Sequence, residues 1–188
     1  SDGAFTIREM AEAAKERGYQ YIAVTDHSQS LTVAGGMSVE ALKKQLQEIE
    51  QLNQELKDFR IFKGVEVDIL KNGDLDFEDE LLAQIDFVIA SVHSNFNLSE
   101  KEMTERIIRA VKNPSVNLIG HPSGRMLGGR EAYAVDLKKV IKAAAANNTA
   151  LEINASPQRL DLDAEWEKKK KKAGAKISIN TDAHHYKE

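Results

Sequence analysis

The sequence predicts an α/β fold, a parallel β-sheet whose strands are joined by helical crossovers. Three observations predict it. Six short β-rich runs alternate with helical segments along 188 residues, the order expected of βα units. Several of those runs are apolar at both odd and even positions, as strands covered on both faces are. Every run also ends in a polar residue able to do chemistry, and in such sheets the loops at the carboxyl ends of the strands are where sites are built.

The elements follow in order. Thr6 with Glu9 three residues on forms a capping box, so a helix starts there; Ile7, Met10, Ala11 and Ala14 share its apolar face and Gly18 stops it. The strand run YQYIAVTD comes next. A longer helix from Ser38 to about Lys57 carries Leu42, Leu46, Ile49, Leu52 and Leu56 at helical spacing and leads into RIFKGVEVDIL. A short helix around Glu80 to Gln84 precedes DFVIASVH. Ser99 and Glu102 make a second capping box, opening a helix with Met103, Ile107 and Val111 that ends near Pro114 and feeds VNLIGH. Asp136 opens a helix with Leu137, Val140, Ile141 and Ala144 that feeds TALEINAS, and a last helix, about Asp163 to Ala173, feeds KISINTDAH. That last helix contains EKKKKK and lacks an apolar stripe; the run reads as a solvated face, with a contact to DNA phosphate as the alternative.

Composition narrows the function. With 41% hydrophobic and 30% charged residues the chain has the makings of one domain with a sizeable core. No apolar stretch approaches the roughly 20 residues of a membrane span, and no basic-then-apolar leader precedes the first helix, so a cytoplasmic protein without a membrane partner is expected. The absence of cysteine removes disulfides and thiolate ligands and leaves nitrogen and oxygen donors for any metal. A formal charge of −4 offers no global basic field, so nucleic acid would have to be gripped locally. No Gly-x-Ser-x-Gly elbow, Walker loop or dinucleotide fingerprint is present, which leaves covalent nucleophiles and nucleotide cofactors without a motif.

The strand ends carry the functional signal. They are Asp26 and His27, Glu66 with Asp68 beyond it, His93, His121, Asn154, and Asp182 with His184; four of the five histidines of the chain stand at such positions. A single histidine after a strand is usually a hydrogen-bonded loop residue. Imidazoles and carboxylates delivered together to one rim are instead a ligand set suited to zinc, manganese or iron. The paired VTDHS and INTDAH runs thus each hand ligands to a shared site.

In this order and spacing, TDHS, GVEVDIL, SVHS, GHPSGR, EINASPQRLDL and INTDAH closely resemble the polymerase and histidinol phosphatase (PHP) domain. VAGGMS, HSNFNLSE and RLDL bring the likeness to the branch fused behind the catalytic core of bacterial family X DNA polymerases. The resemblance covers essentially the whole chain and implies a distorted seven-stranded (βα) barrel whose rim holds two or three divalent ions. It implies that Glu66 bridges two of them, that His93 and His121 complete one, that Asp182 serves the other, and that Asp2, His27 and His184 hold the third. The family's first strand ends in a His-x-His motif shortly before SDG. Residues 1–188 are therefore expected to be a single PHP domain lacking that strand and without the polymerase core, a fragment with impaired activity on its own. The implied partners are DNA 3′ ends and a polymerase core in the same parent chain; the resemblance specifies no oligomeric state.

Further candidates come from the residues themselves. Arg125 and Arg130, in a Gly-rich loop beside His121, are candidate phosphate contacts, since arginine grips phosphate through paired donors; ordinary surface arginines are the alternative. Asn154 could hydrogen-bond a ligand or a neighbouring loop. Asp68, on the same strand parity as Glu66, reads as structural, and His185 as a non-ligand. Residues 28–36 form a polar loop able to cover the site, with Gly35 and Gly36 giving it freedom. The expected reaction is phosphoester hydrolysis by a 3′–5′ exonuclease or 3′-end-processing nuclease, with Glu66, Asp182 and His93 at the reacting centre. The alternatives are a small-molecule phosphatase like the histidinol phosphate enzymes, and a structural PHP domain without catalysis.

Overall fold

A computed structural model describes residues 2–159, 161–162 and 174–188. The expected last helix and its lysine run lie outside the described residues. Among those described, the elements are α1 (Ile7–Glu16), β1 (Tyr21–Val24), a 3-10 turn (Thr32–Ala34), α2 (Val39–Glu55), β2 (Arg60–Asp68), α3 (Asp79–Leu82), β3 (Phe87–Ser91), α4 (Glu100–Val111), β4 (Leu118–Ile119), α5 (Leu137–Asn147), β5 (Ala150–Asn154) and β6 (Ile177–Asn180). No helix of the described residues is long and apolar enough to cross a membrane.

The six strands form one sheet in sequence order, β1 to β6, and every pairing is parallel. Sequential order with parallel pairing means each crossover returns the chain to the neighbouring position, so all carboxyl ends reach the same rim. The sheet is an open, incomplete barrel with β1 and β6 at its edges.

Helix starts are decided locally. Thr6 Oγ1 accepts the Glu9 N–H while Glu9 accepts the Thr6 N–H, and Ser99 and Glu102 repeat the arrangement at α4. Ser38 and Asp136 cap α2 and α5 through their side chains. Two ends differ from the sequence reading. Helix α2 stops at Glu55 because Leu56 leaves helical geometry, and α3 spans only Asp79–Leu82.

The larger core joins α2, α4 and α5 to the buried faces of β2 to β5, with Val67, Ile107, Val140 and Leu151 fully enclosed. A smaller cluster packs Ala11 of α1 and Ile49 and Leu52 of α2 against Ile61 of β2. Each such aliphatic side chain contributes about 1.5–3 kcal/mol by leaving water. This layer holds the strands in register, and the register sets the site.

Candidate metal centre

The site grows from the end of β2. Beyond β1 the chain stays beside β2: the Glu66 N–H donates to Asp26 O at 3.0 Å, the Ser28 N–H donates to Glu66 O at 3.0 Å, and His27 bridges to Glu66 in parallel register. Side chains alternate along a strand, so His27 and Asp26 part company. His27 turns to Glu66, with Nδ1 3.5 Å from Oε2, while Asp26 accepts a hydrogen bond from Gln45 of α2 at 2.6 Å.

On its other side Glu66 meets two more imidazoles. His93 Nε2 lies 3.3 Å and His121 Nε2 3.1 Å from the same oxygen, Oε1. The three rings form a column, with centroids 5.0 Å apart from His27 to His93 and again from His93 to His121. Glycine is required where this column meets β4. A Cβ on Gly120 would stand 2.3 Å from Ser91 Oγ and 2.9 Å from Ile89 Cγ2.

Beside this group lies a second one. Asp2 Oδ1 is 4.0 Å from His27 Nε2 and 3.5 Å from His184 Nε2. The ligand atoms of Asp2, His27 and His184 all fall within 4.8 Å of one another, as do those of His27, Glu66 and His93. His27 belongs to both, so the two groups abut. Asp182 is at the rim too, with its carboxylate accepting from Asn154 Nδ2 at 2.9 Å and its carbonyl facing His184 Nδ1 at 2.7 Å. Asp182 and His121 take positive φ, 54° and 26°, a conformation that costs a non-glycine residue energy and persists only where surroundings impose it.

The electrostatics are those of a buried charge cluster. Burial alone would raise the Glu66 carboxyl pKa, but hydrogen bonds and charge from His121 and His93 hold it well below the usual carboxylate range. Burial pulls the His93 imidazolium down, yet Asp68 and Glu66 outweigh it and bring its pKa up to about 9. Both nitrogens of that ring face carboxylates, Nδ1 toward Asp68 and Nε2 toward Glu66. His184 is displaced upward as well, the loss of solvent being outweighed by the Asp182 carbonyl and the Asp182 and Asp2 charges.

These residues fit a divalent cation. His93 Nε2 and His121 Nε2 converge on one oxygen of the buried Glu66 carboxylate. The donors are all imidazole nitrogens and carboxylate oxygens, the set that suits zinc, manganese or iron.

The arginines are engaged by the loop that follows His121 and by its neighbours. Arg125 gives its backbone N–H to Asp161 Oδ1 at 3.1 Å. Arg130 donates from Nε to Gly124 O at 2.8 Å, and its guanidinium lies 4.1 Å from the centroid of Phe96. His185 packs edge-on against Phe5 and stacks on Tyr186. The 28–36 segment is fastened rather than loose at its start, with the Ser30 N–H on Asp76 and the Ser30 hydroxyl on Asp68.

Asp68, read in the sequence as structural, accepts a hydrogen bond from His93 Nδ1. Two residues escaped the sequence reading. Glu152, 4% exposed, receives the His121 N–H at 2.7 Å and Asn180 Nδ2 at 2.8 Å. Its signal was available: a carboxylate inside the apolar run LEIN, on the same parity as Asn154. Arg159 pairs with Met126, as Arg130 does, and so joins Arg130 as a second cation beside the loop; only its place in RLDL had marked it.

The family model for the PHP domain matches residues 1–156. The chain belongs to the PHP family. It is 53% identical over 184 residues to the DNA polymerase/3′-5′ exonuclease PolX of Bacillus subtilis, a match covering 98% of this chain and 32% of PolX. The chain thus spans about a third of that relative. It is also 35% identical to a probable phosphatase of Thermoanaerobacter sp. (strain X514), over 95% of this chain and 72% of that protein. Among solved structures, the histidinol phosphate phosphatase of Lactococcus lactis, crystallised with zinc, L-histidinol and phosphate, superposes with a TM-score of 0.69. That likeness covers 100% of this chain and 83% of the other at 23% identity, and it establishes the shared PHP fold.

Proposed function

We propose that this PHP domain is a metal-dependent phosphoesterase acting on DNA 3′ ends, as a 3′–5′ exonuclease or 3′-end-processing nuclease. One observation carries the hydrolytic part: nitrogens of His27, His93 and His121 converge within 3.5 Å on the buried carboxylate of Glu66. Glu66, His93 and His121 would hold one ion, Glu66 and Asp182 would serve a second, and Asp2, His27 and His184 would hold a third. When bound, such ions supply Lewis acidity toward a phosphoryl oxygen and the attacking water. Arg125 and Arg130, with Arg159 beside them, grip neighbouring phosphates, and Asn154 orients Asp182 through its 2.9 Å hydrogen bond. The DNA assignment, and a polymerase core in the same parent chain, are supported by 53% identity to PolX over nearly the whole domain.

A second reading, a small-molecule phosphatase, is favoured by the phosphatases that this chain matches over 72% of their length. The full-length protein separates the two. With Mn²⁺ it should shorten single-stranded or gapped DNA from the 3′ end, and His93→Ala or His121→Ala should remove about one equivalent of metal and the activity together. Arg125→Ala should raise KM for DNA in a salt-sensitive way. Phosphate release from histidinol phosphate with no action on DNA would support the phosphatase. Metal bound with neither activity would leave a structural domain, and unchanged metal content and rate in both histidine variants would sink the metal centre itself.

A further inference from the structure

Asp68 has no part in the ligand set above, yet its side chain is tied directly to one member of it, His93. It stands two residues after Glu66 on β2, on the same face, and its register partner on β3 is Ser91. Two residues beyond Ser91 comes His93, whose Nδ1 donates a hydrogen bond to Asp68 Oδ1. The other oxygen, Oδ2, accepts the Ser30 hydroxyl at 2.9 Å, and the Asp68 N–H donates to Ser28 Oγ at 2.9 Å. Asp68 is 4% exposed.

The spacing of Asp68 and His93 is held from outside by a buried arginine. Arg106 of α4, 2% exposed, donates to the carbonyls of Ile69 and Leu70 on one side and to Ser94 O at 2.9 Å on the other. Ile69 and Ser94 directly follow Asp68 and His93. One guanidinium therefore pins both chain segments with the hydrogen-bonded pair between them.

We propose that Asp68 is a positioning residue that acts through His93: it keeps the proton on Nδ1, turns Nε2 toward Glu66, and through Ser30 ties the 28–36 loop to the metal centre. The inference rests on the reading of His93 as a ligand. An ionised carboxylate can only accept, so Nδ1 must be the protonated nitrogen, and the lone pair of Nε2 is left for a cation beside Glu66 Oε1. Both oxygens of Asp68 are committed to donors, which separates its role from that of a ligand. Carboxylates placed behind metal-binding imidazoles generally hold tautomer and ring orientation, and their loss costs about 10–100-fold in metal affinity.

The test compares wild type with Asp68→Asn and Asp68→Ala in the full-length protein, using Mn²⁺ and Zn²⁺ titrations against a competing chelator. Affinity should fall about 10–100-fold with Asp68→Ala and less with Asp68→Asn, while the number of ions bound at saturation stays the same. A lost equivalent would instead make Asp68 a ligand and overturn the proposal. Asp76→Ala, which frees the Ser30 N–H but leaves the ring and the Ser30 hydroxyl on Asp68 in place, should leave affinity unchanged. Proton NMR of the metal-free protein gives a second readout. The His93 Nδ1–H, identified by its absence in His93→Gln, should lie far downfield in wild type and move upfield in Asp68→Asn. An unmoved resonance and wild-type affinity in Asp68→Asn overturn the proposal. Wild-type protein that binds no metal defeats the functional reading instead, and the NMR comparison still reports on Asp68.

Discussion

The backbone N–H of His121 donates to Glu152 Oε2 at 2.7 Å, from the end of β4 to the middle of β5. His121 sits at φ 26°, outside the favoured basins of a non-glycine residue. The buried carboxylate next door fixes that conformation, and its second oxygen holds Asn180. Glu152→Ala should therefore strand the buried His121 N–H and free the half-buried Asn180 amide, costing roughly 1–3 kcal/mol and weakening metal binding at His121. Urea unfolding and metal titration measure the two effects; an unmoved midpoint would show that Glu152 imposes nothing on His121.

Gly120 precedes that histidine, and its missing side chain leaves room for Ser91 Oγ. Gly120→Ala should destabilise the domain by about 1–3 kcal/mol, the usual cost of overpacking a core. Removing the nearest obstacle with Ser91→Ala should recover part of it, giving a non-additive double-mutant cycle. Strict additivity would mean that the clash with Ser91 is not what excludes a side chain.

The Thr6 and Glu9 capping box closes the start of α1. Thr6→Ala should lower stability by about 0.5–2 kcal/mol and leave metal affinity unchanged, since α1 packs in the smaller cluster with α2. A change in metal affinity would reveal coupling between the two cores.

Alkaline stability should carry the mark of Tyr133. Its hydroxyl is buried and donates to Pro122 O at 3.0 Å; burial, then the Asp161 charge, pushes its pKa far above the ordinary value. A folded-state pKa above the unfolded one gives stability that is complete below about pH 10, the unfolded tyrosine value, and is lost as pH rises beyond it. Tyr133→Phe should lose the hydroxyl's hydrogen bond, about 1 kcal/mol, yet show a shallower fall in stability above that pH. Parallel alkaline curves for the two proteins would exclude Tyr133 as the source.

What was legible from sequence alone were features that short segments decide for themselves. The capping boxes at Thr6 and Ser99 need only a turn of chain, and both occur. The strand ends could be read together because parallel order sends every carboxyl terminus to one rim; His27, Glu66, His93 and His121 do meet there. Which side chain pairs with which was decided only in three dimensions. Asp26 and His27 are chain neighbours, but the pleat sends one to Gln45 and the other to Glu66. Asp68, read as structural, and Glu152, a carboxylate within an apolar run, are brought to His93 and His121 only by the registers of β2 with β3 and of β4 with β5. Periodicity reports which face of an element is buried; partners on that face depend on the offset between strands, which the packing of distant helices sets.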